Sequence, residues 1–350
     1  MFSCSEVFQR VEKKYRVSAW QRRAIEGRLR AAMEPDAYGL ARVTSLYWDT
    51  PDRALISRSL EKPLYKEKLR VRAYGREEGE ALVRMFLRAG RGECVSGSMS
   101  SVGGAGFSGF ASGIDPLDGS VFSNGGDPSS LGDPADPATF PVFVELKKKY
   151  KGVVYKRRTG MSLAAARAYL GGADYRRACE RFPLADPALA EASLEPRSVQ
   201  IAAEIDVMRE RYKALAPSMA IACDRVAWRP RAECADELGE LRVTFDAALR
   251  FAERCNVWRS TIGEAESIME IKSAGPFPLW LAETLNAARA YPTSFSKYGT
   301  AAQIACAGKR ARPLRAQAPD GAHPMRPAHP ADSAHSAQPN ATYLKGQHCA

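Results

Sequence analysis

Eight stretches of this chain alternate residue by residue between apolar and charged side chains: about 7–17, 42–50, 65–75, 141–150, 152–158, 219–229, 240–247 and 267–273. A period of two fits a β-strand with one buried face and one charged face. In the first, Val7, Val11, Tyr15 and Val17 share a face, and Arg10, Glu12, Lys14 and Arg16 share the other. In the third, Lys66, Lys68, Arg70 and Arg72 oppose Leu69, Val71 and Ala73. Glu145, Lys147 and Lys149 oppose Val144 and Leu146; Lys156 aligns with Arg158, and Arg225 with Arg229. Glu240, Arg242, Thr244 and Asp246 oppose Leu241, Val243 and Phe245, and Glu270 with Lys272 opposes Met269 and Ile271.

The charged faces are lopsided towards Lys and Arg. Same-face neighbours sit about 6.6 Å apart along a strand. At an effective dielectric of about 20, a like-charged pair at that spacing costs roughly 2.5 kcal/mol. A run such as Lys66–Arg72 accepts that cost repeatedly, which a bound polyanion would explain and stability alone would not. A Glu-x-Lys pair also recurs, at Glu12/Lys14, Glu145/Lys147 and Glu270/Lys272. Carboxylate and ammonium alternating on one face can hold a divalent cation beside phosphate. For Glu12 and Glu145 the plainer role, balancing neighbouring lysines, stays open.

Helices are expected at about 18–33, opened by a Ser18/Gln21 capping box, at 162–170 behind Ser162, at 198–215 and at 278–290 behind Pro278. Their apolar stripes need sheet faces to cover. The expected fold is α+β: a closed antiparallel eight-stranded β-tunnel with a polar, basic lumen and helices packed outside.

Composition narrows the chemistry. All four histidines lie after residue 320, and no two of the eight cysteines form a CxxC pair. Histidine-based triads, thiol–imidazole dyads and histidine-bound metals are therefore not expected in the folded part. No apolar run reaches the length of a membrane span, and the N-terminus lacks a signal-peptide core, so a cytoplasmic protein with reduced thiols is expected. Residues 91–139 hold eleven Gly with many Ser, Asp and Pro and carry −5; residues 309–350 are rich in Ala, Pro and His and carry +4. The first reads as a disordered insertion and the second as a disordered basic tail, leaving one domain, 1–308. With both set aside, the +11 of the whole chain becomes +12, so the positive charge is concentrated in the fold.

Eight segments in order resemble the VTC domain, the polyphosphate polymerase branch of the triphosphate tunnel metalloenzyme (CYTH-like) superfamily. They are RVEKKYRV (10–17), SLYWDTPD (45–52), KLRVRAYG (68–75), VFVELKKKYKGVVYKRR (142–158), DRVAWR (224–229), LRVTFD (241–246), IMEIK (268–272) and FSKYG (295–299). The resemblance implies a tunnel of antiparallel strands with charged side chains in its lumen. It implies that Lys14 and Lys147 contact phosphate, that Arg70 and Arg72 grip the nucleotide triphosphate, and that Arg225 and Arg242 line the far wall. Glu270, with Glu12 and Glu145, would hold Mg²⁺ or Mn²⁺ beside Lys272. Lys297, with Ser296 and Tyr298, would stand at the tunnel mouth. Where the family usually has Tyr two residues before the Arg225 position, this chain has Cys223, which puts nucleotide preference in doubt.

The implied activity is metal-dependent transfer of the ATP γ-phosphoryl group to a growing polyphosphate chain, with ADP released. The alternatives are a tunnel-type triphosphatase and a non-catalytic polyphosphate or nucleotide sensor. FSKY and LRVTFD favour the polymerase. ATP and polyphosphate are the expected ligands. No motif calls for a specific nucleic acid, and the sequence does not specify an oligomeric state.

Overall fold

The computed structural model describes residues 11–87, 136–151, 153–253 and 257–310. The chain divides into two compact units, residues 1–309 and 310–350. Apart from the end of the last helix, the elements below belong to the first. Most of the expected insertion, the tail beyond 310, residues 7–10 of the first expected strand and all four histidines lie outside the described residues.

The strands are β1 Val11–Ser18, β2 Met33–Asp49, β3 Tyr65–Tyr74, β4 Pro141–Tyr150, β5 Val153–Ser162, β6 Ala216–Pro230, β7 Arg242–Ala252, β8 Trp258–Ser260 and β9 Glu266–Ser273. The helices are α1 Ala19–Leu29, α2 Ala54–Leu60, α3 Arg76–Leu87, α4 Leu163–Leu170, α5 Tyr175–Arg181, α6 Pro187–Leu194, α7 Pro196–Tyr212, α8 Ala235–Leu238, α9 Leu279–Ala287 and α10 Lys297–Arg310. All strands join one antiparallel sheet in the order β1-β9-β7-β6-β2-β3-β4-β5, with β8 paired to β7.

Two expectations need correction. There are nine strands among the described residues, not eight, and the sheet is not closed: β1 and β5 end the ladder with no pairing between them. Alternation fixes which face of a strand is buried; it carries no information on whether the first and last strands meet. The sheet nevertheless curls. Lys147 of β4 lies in the field of Glu12 and Lys14 of β1 and Glu270 of β9, although β1 and β4 are first and seventh in sheet order.

Local chemistry explains the helix starts. Gln21 N donates to Ser18 Oγ at 3.2 Å and Ser18 N to Gln21 Oε1 at 2.9 Å, the reciprocal cap expected for α1. Ala165 N donates to Ser162 Oγ at 3.1 Å and opens α4. α1 stops at Leu29 because β2 begins at Met33, well before the expected residue 42. α7 ends at Tyr212, before Pro217, where Lys213 turns to φ 45°.

Helices cover the convex side. Leu69, Val71, Val144 and Leu146 pack with α3, α4, α5 and α7 in one buried cluster. Tyr15, Val17, Val243, Phe245, Met269 and Ile271 pack with α1 and α9 in another. Each fully buried Leu or Val contributes about 1.5–3 kcal/mol. The third cluster is on the concave side. There α10 sets Tyr298, Ala301, Ala302 and Ala305 against Val43, Tyr47, Ile221, Phe251 and Ile268. β7 reaches both sides because its pairing with β6 shifts between Ala222 and Asp224, beside Ala248 at φ 46°. Val243 and Phe245 before the bulge face the convex cluster; Leu249 and Phe251 after it face α10.

Candidate functional site on the concave sheet face

The rest of the concave face is ionic, and its centre is β3 against β4. Antiparallel register places Arg70 directly opposite Glu145. Glu145 Oε2 accepts from Arg70 Nε at 2.7 Å and lies 2.5 Å from Nη2. Its Oε1 lies 3.0 Å from Lys156 Nζ and 4.0 Å from Arg72 Nη1. Arg72 also donates to Ser45 Oγ at 3.2 Å. Burial alone would raise the Glu145 pKa, but Arg70, Arg72 and Lys156 outweigh it and hold the carboxyl at about 2. Glu145 is 1% exposed and enclosed by cations. Its carboxylate serves as counter-ion to all three, the plainer role left open from sequence.

That arrangement has a pH signature. A carboxyl depressed from 4.5 to about 2 contributes stability above its unfolded pKa and loses it as pH falls through the folded one. The urea midpoint should therefore drop steadily between about pH 5 and about pH 2, and Glu145→Gln should flatten that slope. An unchanged slope in the variant would show that Glu145 is not ion-paired in solution.

A second ion cluster joins β6, β7 and α10. Arg225 and Asp246 are cross-strand partners, and Asp246 accepts from Arg225 Nε at 2.6 Å and Nη2 at 2.9 Å. Lys297, the first residue of α10, donates to Asp246 Oδ2, the oxygen that also accepts from Arg225 Nη2. Asp246 is 0% exposed. Burial disfavours its charge, yet Lys297 and Arg225 hold its carboxyl well below the usual range. Burial likewise opposes the charges of Arg225 and Lys297, and Asp246 overrides it in both. From sequence alone Asp246 is one acid among several on a strand face.

β1 and β9 supply the third. Lys14 stands opposite Glu270, and Glu12 opposite Lys272. Lys14 Nζ lies 3.4 Å from Glu12 Oε1 and donates to the Phe295 carbonyl at 3.3 Å. Lys272 Nζ lies 2.8 Å from Glu270 Oε1. Burial again opposes ionisation of Glu270, but Lys272, Lys14 and Lys297 bring it down to about 2. Among the described residues no three His, Cys, Asp or Glu side chains come together as a metal cage. Glu12 and Glu270 form a diagonal pair of carboxylates on adjacent strands. That donor set fits Mg²⁺ or Mn²⁺ only where phosphate oxygens and water complete the shell, the usual habit of Mg²⁺ in phosphate chemistry.

Lys68, Lys147 and Lys156 stand in one row across β3, β4 and β5. Burial pushes Lys68 down to about 8; Tyr47 opposes the shift, while Lys66, Lys147 and Lys14 add to it. Burial also lowers Lys147. Like charges so placed are poised to gain from a polyanion.

Other expected site residues are placed differently. Arg242 lies at the rim, largely exposed, with Nη2 donating to Asp36 Oδ2 at 2.8 Å. Ser296 Oγ accepts from Gly299 N at 3.1 Å, capping α10, and from Lys68 Nζ at 3.4 Å. Tyr298 is 2% exposed and donates to Asp49 Oδ2 at 2.8 Å. Asp49 also accepts from Leu55 N and Ile56 N, so Tyr298 locks α10 to the start of α2. Cys223 lies buried with Sγ 3.6 Å from Asp246, its thiol pushed up to about 12 by burial and by that carboxylate, a small inert group where an aromatic was expected. The residue missed outright is Tyr47, whose hydroxyl accepts from Arg70 Nη1 at 3.0 Å. It lies inside the SLYWDTPD segment, where only its hydrophobic character was legible.

Fold and site together define an α+β protein with a cation-rich concave sheet face. The chain belongs to the VTC domain family, whose model matches residues 9–87 and 131–306. No curated protein matches it. Similar solved structures include a candidate adenylate cyclase from Bacillus halodurans, at 11% identity and TM-score 0.35, covering 82% of this chain and 92% of that one. Another candidate adenylate cyclase, from Vibrio parahaemolyticus, aligns at 9% identity and TM-score 0.34 over 84% of this chain and 97% of that one.

Proposed function

We propose that this protein is a polyphosphate polymerase that transfers the γ-phosphoryl group of ATP to the end of a polyphosphate chain and releases ADP. One observation carries the proposal. Lys14, Lys68, Arg70, Arg72, Lys147, Arg225, Lys272 and Lys297 share a concave face on which the buried acids Glu145 and Asp246 are already committed to holding arginines. The remaining positive charge is preorganised for a phosphate chain. Family membership supports the phosphate reading.

Arg70 and Arg72, fixed by Glu145, neutralise non-bridging phosphate oxygens and set the γ-phosphorus in line with the attacking group. Arg225 and Lys297, fixed by Asp246, hold the chain from the opposite wall. A terminal oxygen of polyphosphate forms the new bond to the γ-phosphorus. The bond to the β,γ-bridging oxygen breaks, and its electron pair leaves with ADP. The attacking oxygen is already ionised, so no general base is required. Glu270 with Glu12 would hold Mg²⁺ or Mn²⁺, which supplies Lewis-acid stabilisation of the developing charge. Catalysis by position and charge suits a face whose described residues include no histidine.

Incubation with ATP and Mn²⁺ should yield a polyphosphate ladder on gels together with ADP. ADP and orthophosphate with no ladder would make the protein a triphosphatase. ATP binding without turnover would make it a sensor.

A further inference from the structure

Arg70 is held from two sides. Glu145 takes Nε and Nη2, and the Tyr47 hydroxyl oxygen takes Nη1. A guanidinium has five N–H groups, so this grip leaves only some of them for a ligand and fixes which way they point. Tyr47 is itself held. Cross-strand register sets it opposite Arg70. Its ring stacks on Tyr298 with centroids 4.4 Å apart and planes 16° apart. Tyr298 is tied in turn to Asp49. Tyr47 is thus a buried support behind the arginine, 7% exposed, and has little freedom to do anything else.

We propose that Tyr47 is a positioning residue for Arg70, and that once ionised its phenolate competes with phosphate for the same guanidinium, giving the concave face a built-in alkaline limit. The proposal rests on the phosphate-binding reading above. The groups facing the hydroxyl are Arg70, Lys68 and Arg72 from β3, with Glu145 of β4 acting through Arg70 and Tyr298 of α10 against the ring. Burial would raise the pKa of the hydroxyl, but Arg70, Lys68 and Arg72 outweigh it and bring it to about 8. Phosphate binding neutralises those cations and pulls the proton back, so affinity must fall as pH rises through that value. Lys68, also lowered to about 8, loses its charge in the same range, so the two contributions need separate variants.

The first measurement uses the ligand-free protein. A near-ultraviolet tyrosinate titration of wild type should show one tyrosine ionising near pH 8; the transition should vanish in Tyr47→Phe and move upward in Arg70→Gln. An early transition that persists in Tyr47→Phe, or that ignores Arg70→Gln, overturns the proposal. The second uses tripolyphosphate calorimetry. At neutral pH, Tyr47→Phe should bind about tenfold more weakly at unchanged melting temperature, as loss of a charge-assisted hydrogen bond implies. Its affinity should also fall less than that of wild type from pH 7 to about pH 9, while Lys68→Gln keeps the Tyr47 contribution. Wild-type affinity in Tyr47→Phe, or an affinity loss that only follows a lower melting temperature, overturns the positioning role. A wild-type protein that binds no tripolyphosphate overturns the reading of the face, and the tyrosinate titration still decides whether Tyr47 and Arg70 act as a pair.

Discussion

Glu145→Ala should lower the melting temperature by roughly 10 °C. The substitution removes one partner of a buried ion cluster and leaves Arg70 and Arg72, themselves little exposed, without their shared carboxylate. Breaking such a cluster from one side costs about 3–5 kcal/mol, far more than an exposed pair contributes, because the orphaned charges stay buried. Lys156 is less affected, since its side chain is 42% exposed and can turn to water. Phosphate binding should weaken as well, since Arg70 loses one of its two supports. Calorimetric melting with and without tripolyphosphate checks both effects. A variant that melts like wild type but loses Mn²⁺ affinity would return Glu145 to the metal-ligand role that the sequence resemblance implied.

Glu270→Gln should cut turnover by about a thousandfold while sparing most of the ATP affinity. The glutamine keeps the shape and removes the charge. Its carboxylate is ionised across the useful pH range, held at about 2 by surrounding lysines. Lys272 is 41% exposed on its side chain, so losing its partner should cost little stability. ATP retains Arg70, Arg72 and Arg225, whose guanidinium groups attract phosphate without a metal. ADP release followed across a Mn²⁺ titration, beside nucleotide calorimetry, separates the cases. Partial rescue by high Mn²⁺ is the expected result. Parallel loss of binding and turnover would instead make Glu270 an organiser of Lys14, Lys272 and Lys297.

Where side-chain period and backbone agree, the fold was legible from sequence. β3 shows this: Leu69, Val71 and Ala73 are buried on the convex side, and Lys68, Arg70 and Arg72 face the concave one. β9 shows it too, with Met269 and Ile271 opposite Glu270 and Lys272. The reading failed where the period breaks. The first half of β2 runs through Pro35 and Gly39, the latter at φ 53°, and its register with β6 shifts between Pro35 and Leu40. No alternation survives there. α10 was missed although Tyr298, Ala301, Ala302 and Ala305 fall at helical spacing, because a stripe made mostly of alanine is a weak hydrophobic signal. In the site, the basic residues were visible because like charges on one strand face demand a reason. Asp246 and Tyr47 were not, since a buried carboxylate and a buried phenol have meaning only through partners 21 and 23 residues away. Arg242 was legible for the same reason as the other basic residues, and the structure adds its partner, Asp36 at the rim.

The placement of α10 makes the concave face two materials in one hollow. Alanines and tyrosines form a greasy seat, while Lys297 at the tip of the helix is wired into the ionic wall through Asp246. Dissolved salt should act on the two in opposite senses. Screening loosens the wall, whereas sulfate and similar excluded salts tighten the seat. The helix therefore behaves as a stopper with a charged nose. Its shank stays lodged when its tip is electrostatically released.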